Sequence, residues 1–254
     1  MEEINFINGY SWKALLGKQS KNIKEYNNIY YWDVGSKHHF CTNKKLDMDD
    51  LKDLSYPINF HYLSEDNFSF LKQNCKITRT KLISVCYDLD KFSLSGGDYK
   101  KVRQSINKAK KYNLTIKDNF NKIEDVKIFL DEWSNILAQK YFRDFSGKNL
   151  YFYQNNFHEK CLNIFLYDND KLVSFGSLSP NNDGYSSYVI GKAHCHNYSG
   201  LSEYTDYLLY EKAMQNGIKI VNLGQAKDGL VFYKTKFPGA FKITHYDGKI
   251  ENLK

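Results

Sequence analysis

No apolar run in these 254 residues approaches the length of a membrane span, and the N-terminal MEEINFINGYSW opens on acids, unlike a secretion signal. A soluble, cytoplasmic protein is the expectation. Cysteine is sparse: Cys41, Cys75, Cys86, Cys161 and Cys195 are odd in number and form no CxxC pair, which speaks for free buried thiols rather than a disulfide framework. Metal-ligand spacing is missing as well. His38-His39 and His61 have no partner at a suitable distance along the chain, and His194-Cys195-His196 offers two imidazoles on one strand face, a thiol on the other and no third ligand. No metal is expected. Disorder is excluded by 21 Tyr and 17 Phe, which supply apolar surface despite a mean hydropathy of -0.61. The net charge of +7 favours a phosphate-bearing partner, a tRNA, coenzyme A or an anionic surface, without choosing among them.

The most informative stretch runs from Tyr185 to Phe241. It reads as an apolar strand, a glycine turn, a helix and a second strand ending in Asn222-Leu223-Gly224, followed by a lysine-rich segment. Ser202 is a suitable N-cap for the helix, Glu203 and Asp206 occupy its positive first turn, and Gly217 stands at C′. Tyr207, Tyr210 and Met214 recur on one face. The β-branched run Ile218 to Leu223 predicts an interior strand, so the unit is βαβ. Asn222 and Gly224 lie at the strand's carboxyl end, where open α/β sheets commonly place ligands.

A second signal is the segment Tyr99 to Lys111, which Asp98 is placed to cap as a helix. Tyr99, Val102, Ile106 and Ala109 form a narrow apolar stripe, while Lys100, Lys101, Arg103, Lys108, Lys110 and Lys111 take the other faces with no acid among them. A solvated face and a phosphate-binding face are equally good readings of such a run. Between these landmarks, residues 12–88 alternate short aromatic or β-branched runs with polar turns, and two short helices are expected at Asp49–Leu54 and Asn67–Lys72. Asn121 and Glu124 suit a capping box for a helix reaching about Tyr141. Arg143–Lys148 reads as a link, Cys161–Asp168 and Leu172–Ser179 as a hairpin, and the runs around Asp247-Gly248 as another.

This order of elements resembles the GNAT acyltransferase fold. LSGGDYKKVRQSINKAKK, KLVSFGSLS, LSEYTDYLLYEKAMQNGIKIVNLG and GLVFYKTKF together are similar to the C-terminal (DUF2156) domain of lysyl-phosphatidylglycerol synthases. These are distant kin of the Fem peptidoglycan aminoacyltransferases, which have two GNAT-like halves. The likeness spans roughly Leu82 to Phe241. It implies an α/β (α+β) protein of tandem GNAT-like halves, residues 1–95 and 96–254, with mixed, mostly antiparallel sheets flanked by helices and the active site in the second half. It also implies transfer of an amino acid from aminoacyl-tRNA to an amine or hydroxyl, with roles for the residues matching Arg103, Asp206 and the Tyr233–Phe237 motif. The acceptor is then a small molecule, a peptide or a lipid headgroup. Leu209 departs from the pattern, standing where these enzymes often carry a cation.

Read as chemistry, such a transfer needs a cation for the tetrahedral oxyanion, for which Lys234 and Lys236 are candidates, assisted by backbone amides near Gly191 or Gly200. It needs a proton acceptor, for which Asp206 and Glu203 are candidates. Donor phosphates fall to Arg103, Lys100, Lys101, Lys108, Gly200 and Ser202, and acceptor contacts to His196, Asn222, Gly224 and Tyr233. No permanently bound cofactor is expected, only aminoacyl-tRNA or acyl-CoA as co-substrate. The competing reading is an acetyl-CoA-dependent N-acetyltransferase acting on a small amine or amino sugar. The loop from His196 to Ser202 has a single glycine where a Q/RxxGxG/A pyrophosphate loop would be wanted, which favours the first. A non-catalytic GNAT-like binding module is the third reading.

Overall fold

The computed structural model describes residues 24–42, 44–52, 54–136, 149–180, 184–225 and 228–254, with the side chains of 228 and 229 excepted. The expected helix end near Tyr141 and the expected link at 143–148 lie outside the described residues.

Among the described residues eleven strands form one sheet in the order β1-β2-β3-β4-β11-β5-β10-β9-β8-β7-β6. In chain order these are β1 (Lys24–Tyr26), β2 (Ile29–Val34), β3 (Lys37–Thr42), β4 (Ile58–Leu63), β5 (Cys75–Asp88), β6 (Thr115–Lys117), β7 (Leu162–Asp168), β8 (Lys171–Pro180), β9 (Tyr185–Ala193), β10 (Ile220–Gln225) and β11 (Ala240–Leu253). The helices are α1 (Met48–Lys52), α2 (Glu65–Asn74), α3 (Lys100–Lys110), α4 (Ile123–Ile136), α5 (Leu201–Gln215) and α6 (Asp228–Lys234), with a further helical turn at 149–154. Among the described strands β3–β4 and β9–β10 pair in parallel and the other pairs are antiparallel. The mixed, mostly antiparallel sheet flanked by helices is the predicted class, and β9-α5-β10 is the predicted βαβ unit.

The centre of the sheet is the long antiparallel pair β5–β11, and its registers repeat. Ile58 faces Ile250 as Ile220 faces Asp88, and Leu63 faces Tyr246 as Gln225 faces Ser84. A single offset relates both, since 220 is 58 plus 162 and 250 is 88 plus 162. The same offset carries Tyr62 (φ 56°) onto Gly224 (φ 71°), so β4 and β10 are interrupted by a left-handed residue at matching places. It also lays Phe70 and Lys72 of α2 on Phe232 and Lys234 of α6.

The two parallel pairs differ. β3 and β4 stay in register from His38–Ile58 to Cys41–His61, and the rings of Trp32, His39 and His61 stack with centroids 5.2–5.5 Å apart. β9 and β10 pair only from Tyr185–Ile220 to Ser187–Asn222 and then lose register, with Gly224 turning left-handed. A gap opens beyond Ser187.

Local chemistry accounts for two helix ends. Ser64 caps α2 by accepting from the Asn67 N–H, and α5 ends in a Schellman motif, with Gly217 N–H on Met214 and Ile218 N–H on Ala213. Other expectations are corrected. Asp98 does not cap α3, whose N-cap is Tyr99 without a side-chain bond. Ser202 is not the N-cap of α5 either; the helix starts at Leu201 behind Gly200 (φ 81°). Asn121 accepts from Lys117 Nζ instead of capping α4. Asp247-Gly248 makes no hairpin turn, because Asp247 Oδ1 accepts the Tyr62 N–H at 2.8 Å while Gly248 lies where any Cβ would meet the Thr78 carbonyl at 2.1 Å. β11 therefore runs through as one strand with a register shift.

Candidate active site

The gap between β9 and β10 holds a cleft of about 340 Å³. Tyr188 to Lys192 of β9 form one wall and Leu223 of β10 another. Asp206 and Tyr210 come from α5, and Leu230, Tyr233 and Lys234 from α6, with Lys236 just beyond. Tyr87 closes the floor; its ring lies 5.2 Å from Tyr210 and edge-on to Phe237 at 6.0 Å. Its hydroxyl donates to the Lys234 carbonyl and accepts the Phe237 N–H, so the segment after β10 is pinned over the gap.

Lys236 is the hub of the charged end. Its ammonium lies 3.2 Å from Glu203 Oε1, 3.3 Å from Asp206 Oδ2 and 3.9 Å above the Tyr233 ring. Burial alone would lower this lysine's pKa; Asp206, Tyr233 and Glu203 outweigh it and hold the pKa above the ordinary value. Asp206 is pushed up by burial, with Lys236 and the Tyr188 hydroxyl, 2.6 Å from Oδ1, pulling the other way. Burial thus holds this carboxyl above the usual carboxylate range, beside a lysine that its acidic and aromatic neighbours hold above its own ordinary value.

Lys234 has a different environment. Its ammonium donates to the carbonyls of Leu223, at 2.5 Å, and Gln225, at 2.8 Å, with Gly224 O at 3.4 Å. It thereby ties the end of α6 to the end of β10. Burial pushes its pKa down to about 8. Lys192, on the opposite wall, is likewise pushed down to about 8 by burial and lies 4.0 Å over the Trp133 ring.

Of the residues singled out from sequence, Lys234, Lys236, Asp206, Ser202 and Tyr233 line the cleft, and Glu203 joins through Lys236. Ser202 Oγ lies 2.5 Å from the Tyr233 hydroxyl, bridging α5 to α6. Others stand elsewhere. His196 is exposed beside the buried His194, and Asn222 turns its Oδ1 back onto the Gly224 N–H at 2.7 Å. Gly200 presses on α3, where a Cβ would meet the Ser105 carbonyl at 2.0 Å. Arg103 donates Nη1 to the carbonyls of Leu94 and Gly96, at 2.5 Å for the latter, so that nitrogen holds the preceding loop. Lys100, Lys101 and Lys108 are exposed on α3, outside the cleft but on the helix that Gly200 joins to the start of α5. Among the described residues no three His, Cys, Asp or Glu side chains converge as metal ligands would.

Tyr188, Lys192, Tyr87, Tyr210 and a bulge at Val189 also shape the cleft, and none of them stood out as a site residue in the sequence. Ser177 faces Ile190 while Leu178 faces Tyr188, so Val189 is an extra residue in β9 and lines the cleft. The unpaired backbone of such a residue is a source of donors toward the gap. Nothing in the apolar run SYVIGKA marks where it falls.

Splayed parallel strands beside a crossover helix define a GNAT-like fold. Solved structures agree. The C-terminal DUF2156 domain of a lysylphosphatidylglycerol synthetase from Agrobacterium fabrum superposes with a TM-score of 0.72 at 13% identity, covering 96% of this chain and 88% of that one. FemX superposes with a TM-score of 0.59 at 11% identity over 87% of this chain and 83% of that one. A GCN5-related glucosamine N-acetyltransferase region of a fungal multi-domain enzyme gives 0.52 at 9% identity, over 87% of this chain and 31% of that one. These likenesses are of fold. The model of the family "Phosphatidylglycerol lysyltransferase, C-terminal" matches residues 46–242, and the chain belongs to that family. No curated protein matches. Among the described residues, no helix is long and apolar enough to cross a membrane.

Proposed function

We propose that the protein transfers an aminoacyl group from an aminoacyl-tRNA to an amine or hydroxyl acceptor. The carrying observation is the junction at Gly200, which brings α3, with exposed Lys100, Lys101, Lys108 and Lys110, against the start of the helix that bears Glu203 and Asp206. Electropositive surface for a polyanionic donor thus adjoins the acid–lysine end of the cleft. In this reading the acceptor attacks the ester carbonyl, its proton passes to Asp206 or Glu203, and Lys236 with the backbone at Val189 faces the tetrahedral oxyanion. Collapse of that intermediate expels the tRNA 3′-terminal ribose hydroxyl. The family's transferase chemistry and the fold shared with FemX support it.

We also infer that the chain divides near residue 95 into two GNAT-like halves, each completed by the other's last strand. The repeated offset of 162 residues supports this, with the parallel pair held in register at β3–β4 and splayed at β9–β10.

Filter binding with total tRNA, set beside thermal-shift titration with acetyl-CoA, tests the donor. The proposal expects salt-sensitive retention of tRNA and no acetyl-CoA shift. A saturable acetyl-CoA shift without tRNA retention would replace it with the CoA-dependent N-acetyltransferase; response to neither would leave a binding module.

A further inference from the structure

Tyr188 and Gly191 are three residues apart in β9, a spacing that puts side chains on opposite faces of an unbroken strand. The extra residue at Val189 changes that parity and returns both to one face. Their contact is close: a Cβ on Gly191 would come within 1.6 Å of the Tyr188 hydroxyl oxygen and 2.7 Å of its ring Cζ. The phenol end therefore lies across the bare Cα of Gly191. From this seat the hydroxyl donates to Asp206 Oδ1 at 2.6 Å, while Oδ2 lies 3.3 Å from Lys236.

We propose that Tyr188 is a positioning residue for the Asp206–Lys236 pair, seated on Gly191 by the extra residue at Val189. This deepens the reading of that pair as the reacting end of the cleft and rests on it. Tyr188 fixes which carboxylate oxygen faces Lys236 and stabilises the ionised carboxyl; losing it frees the carboxyl to rotate and to hold its proton to higher pH. The bulge, the glycine and the tyrosine are then one device, and each is idle without the others.

Other groups also bear on Asp206. Glu203 and Tyr210 share its helix, Tyr87 faces it from β5, Tyr233 from α6 and Cys195 from the loop before α5. A test must separate Tyr188 from these, and titration of the Asp206 carboxyl carbon by ¹³C NMR does so without any substrate. Tyr188→Phe should raise its midpoint by about one pH unit. Gly191→Ala, which evicts the ring, should raise it as much, and the double variant no further. Gly176→Ala is the control: Gly176 faces Gly191 across the strand pair, but a Cβ there meets Leu209, so it should lower stability and leave the midpoint in place. A midpoint unmoved by Tyr188→Phe, or moved equally by Gly176→Ala, overturns the proposal, and Tyr188→Phe decides alone should Gly191→Ala fail to fold. If the midpoints move as expected while no aminoacyl-tRNA is consumed, the seat stands and the proposed donor falls.

Discussion

Lys234 and Lys236 stand two residues apart, yet their ammonium groups are committed to opposite chemistry, the first to the carbonyls of Leu223 and Gln225 and the second to the carboxylates of Glu203 and Asp206. From sequence they were equal candidates for the oxyanion cation. Their surroundings now separate them.

Lys236→Met is expected to lower turnover by about a hundredfold or more while leaving the fold and tRNA affinity largely intact. Single-turnover transfer and filter binding on the same preparation check this. Near-normal turnover would reduce Lys236 to a partner that neutralises two acids.

Lys234→Met should act first on structure. It leaves the carbonyls at the end of β10 without their cation and frees α6, a loss of about 1–3 kcal/mol. Denaturant unfolding measures it, and proteolysis should cut near α6 before elsewhere.

Replacing Lys100, Lys101 and Lys108 together by Gln should weaken tRNA binding and lower the slope of log K against log salt by about two to three. Exposure makes any effect on thermal stability small. An unchanged slope would leave α3 as a solvated face.

Lys192 supplies the pH test. Burial lowers its pKa from 10.5 to about 8, so between these values the unfolded chain holds a proton that the folded protein has lost. Stability relative to Lys192→Met therefore rises as pH climbs from about 8 to about 10.5, and the cost of the buried charge is fully present below that window. Parallel unfolding curves at pH 7 and pH 10 should show the gap between the two proteins move in the wild type's favour.

What was legible in the sequence was local. Asn169-Asp170 between two apolar runs specified the β7–β8 hairpin, and Gly217 specified the end of α5 through bonds to residues three and five positions back. What was misread depends on distant partners. Ser202 has every property of an N-cap, but its hydroxyl meets Tyr233, while the packing of Gly200 on Ser105 accompanies a helix start two residues earlier. Asp247-Gly248 has the composition of a turn, but Tyr62, far away in the chain, takes its carboxylate. The cleft's charged end was half visible: Asp206, Glu203 and the two lysines stood out by type and place. Tyr188 did not, because its meaning depends on an extra residue in β9 that no local pattern announces.

In the proposed reaction aminoacyl-tRNA is the donor and Lys236 acts on it. The most direct measurement is the rate at which label leaves total tRNA charged with radioactive amino acids, in the presence of a small-molecule extract as acceptor pool, for wild type and Lys236→Met. Protein-dependent release of at least one amino acid is expected, lowered about a hundredfold in the variant. No release of any amino acid from tRNA, with acetyl-CoA consumed in the same extract, would contradict it.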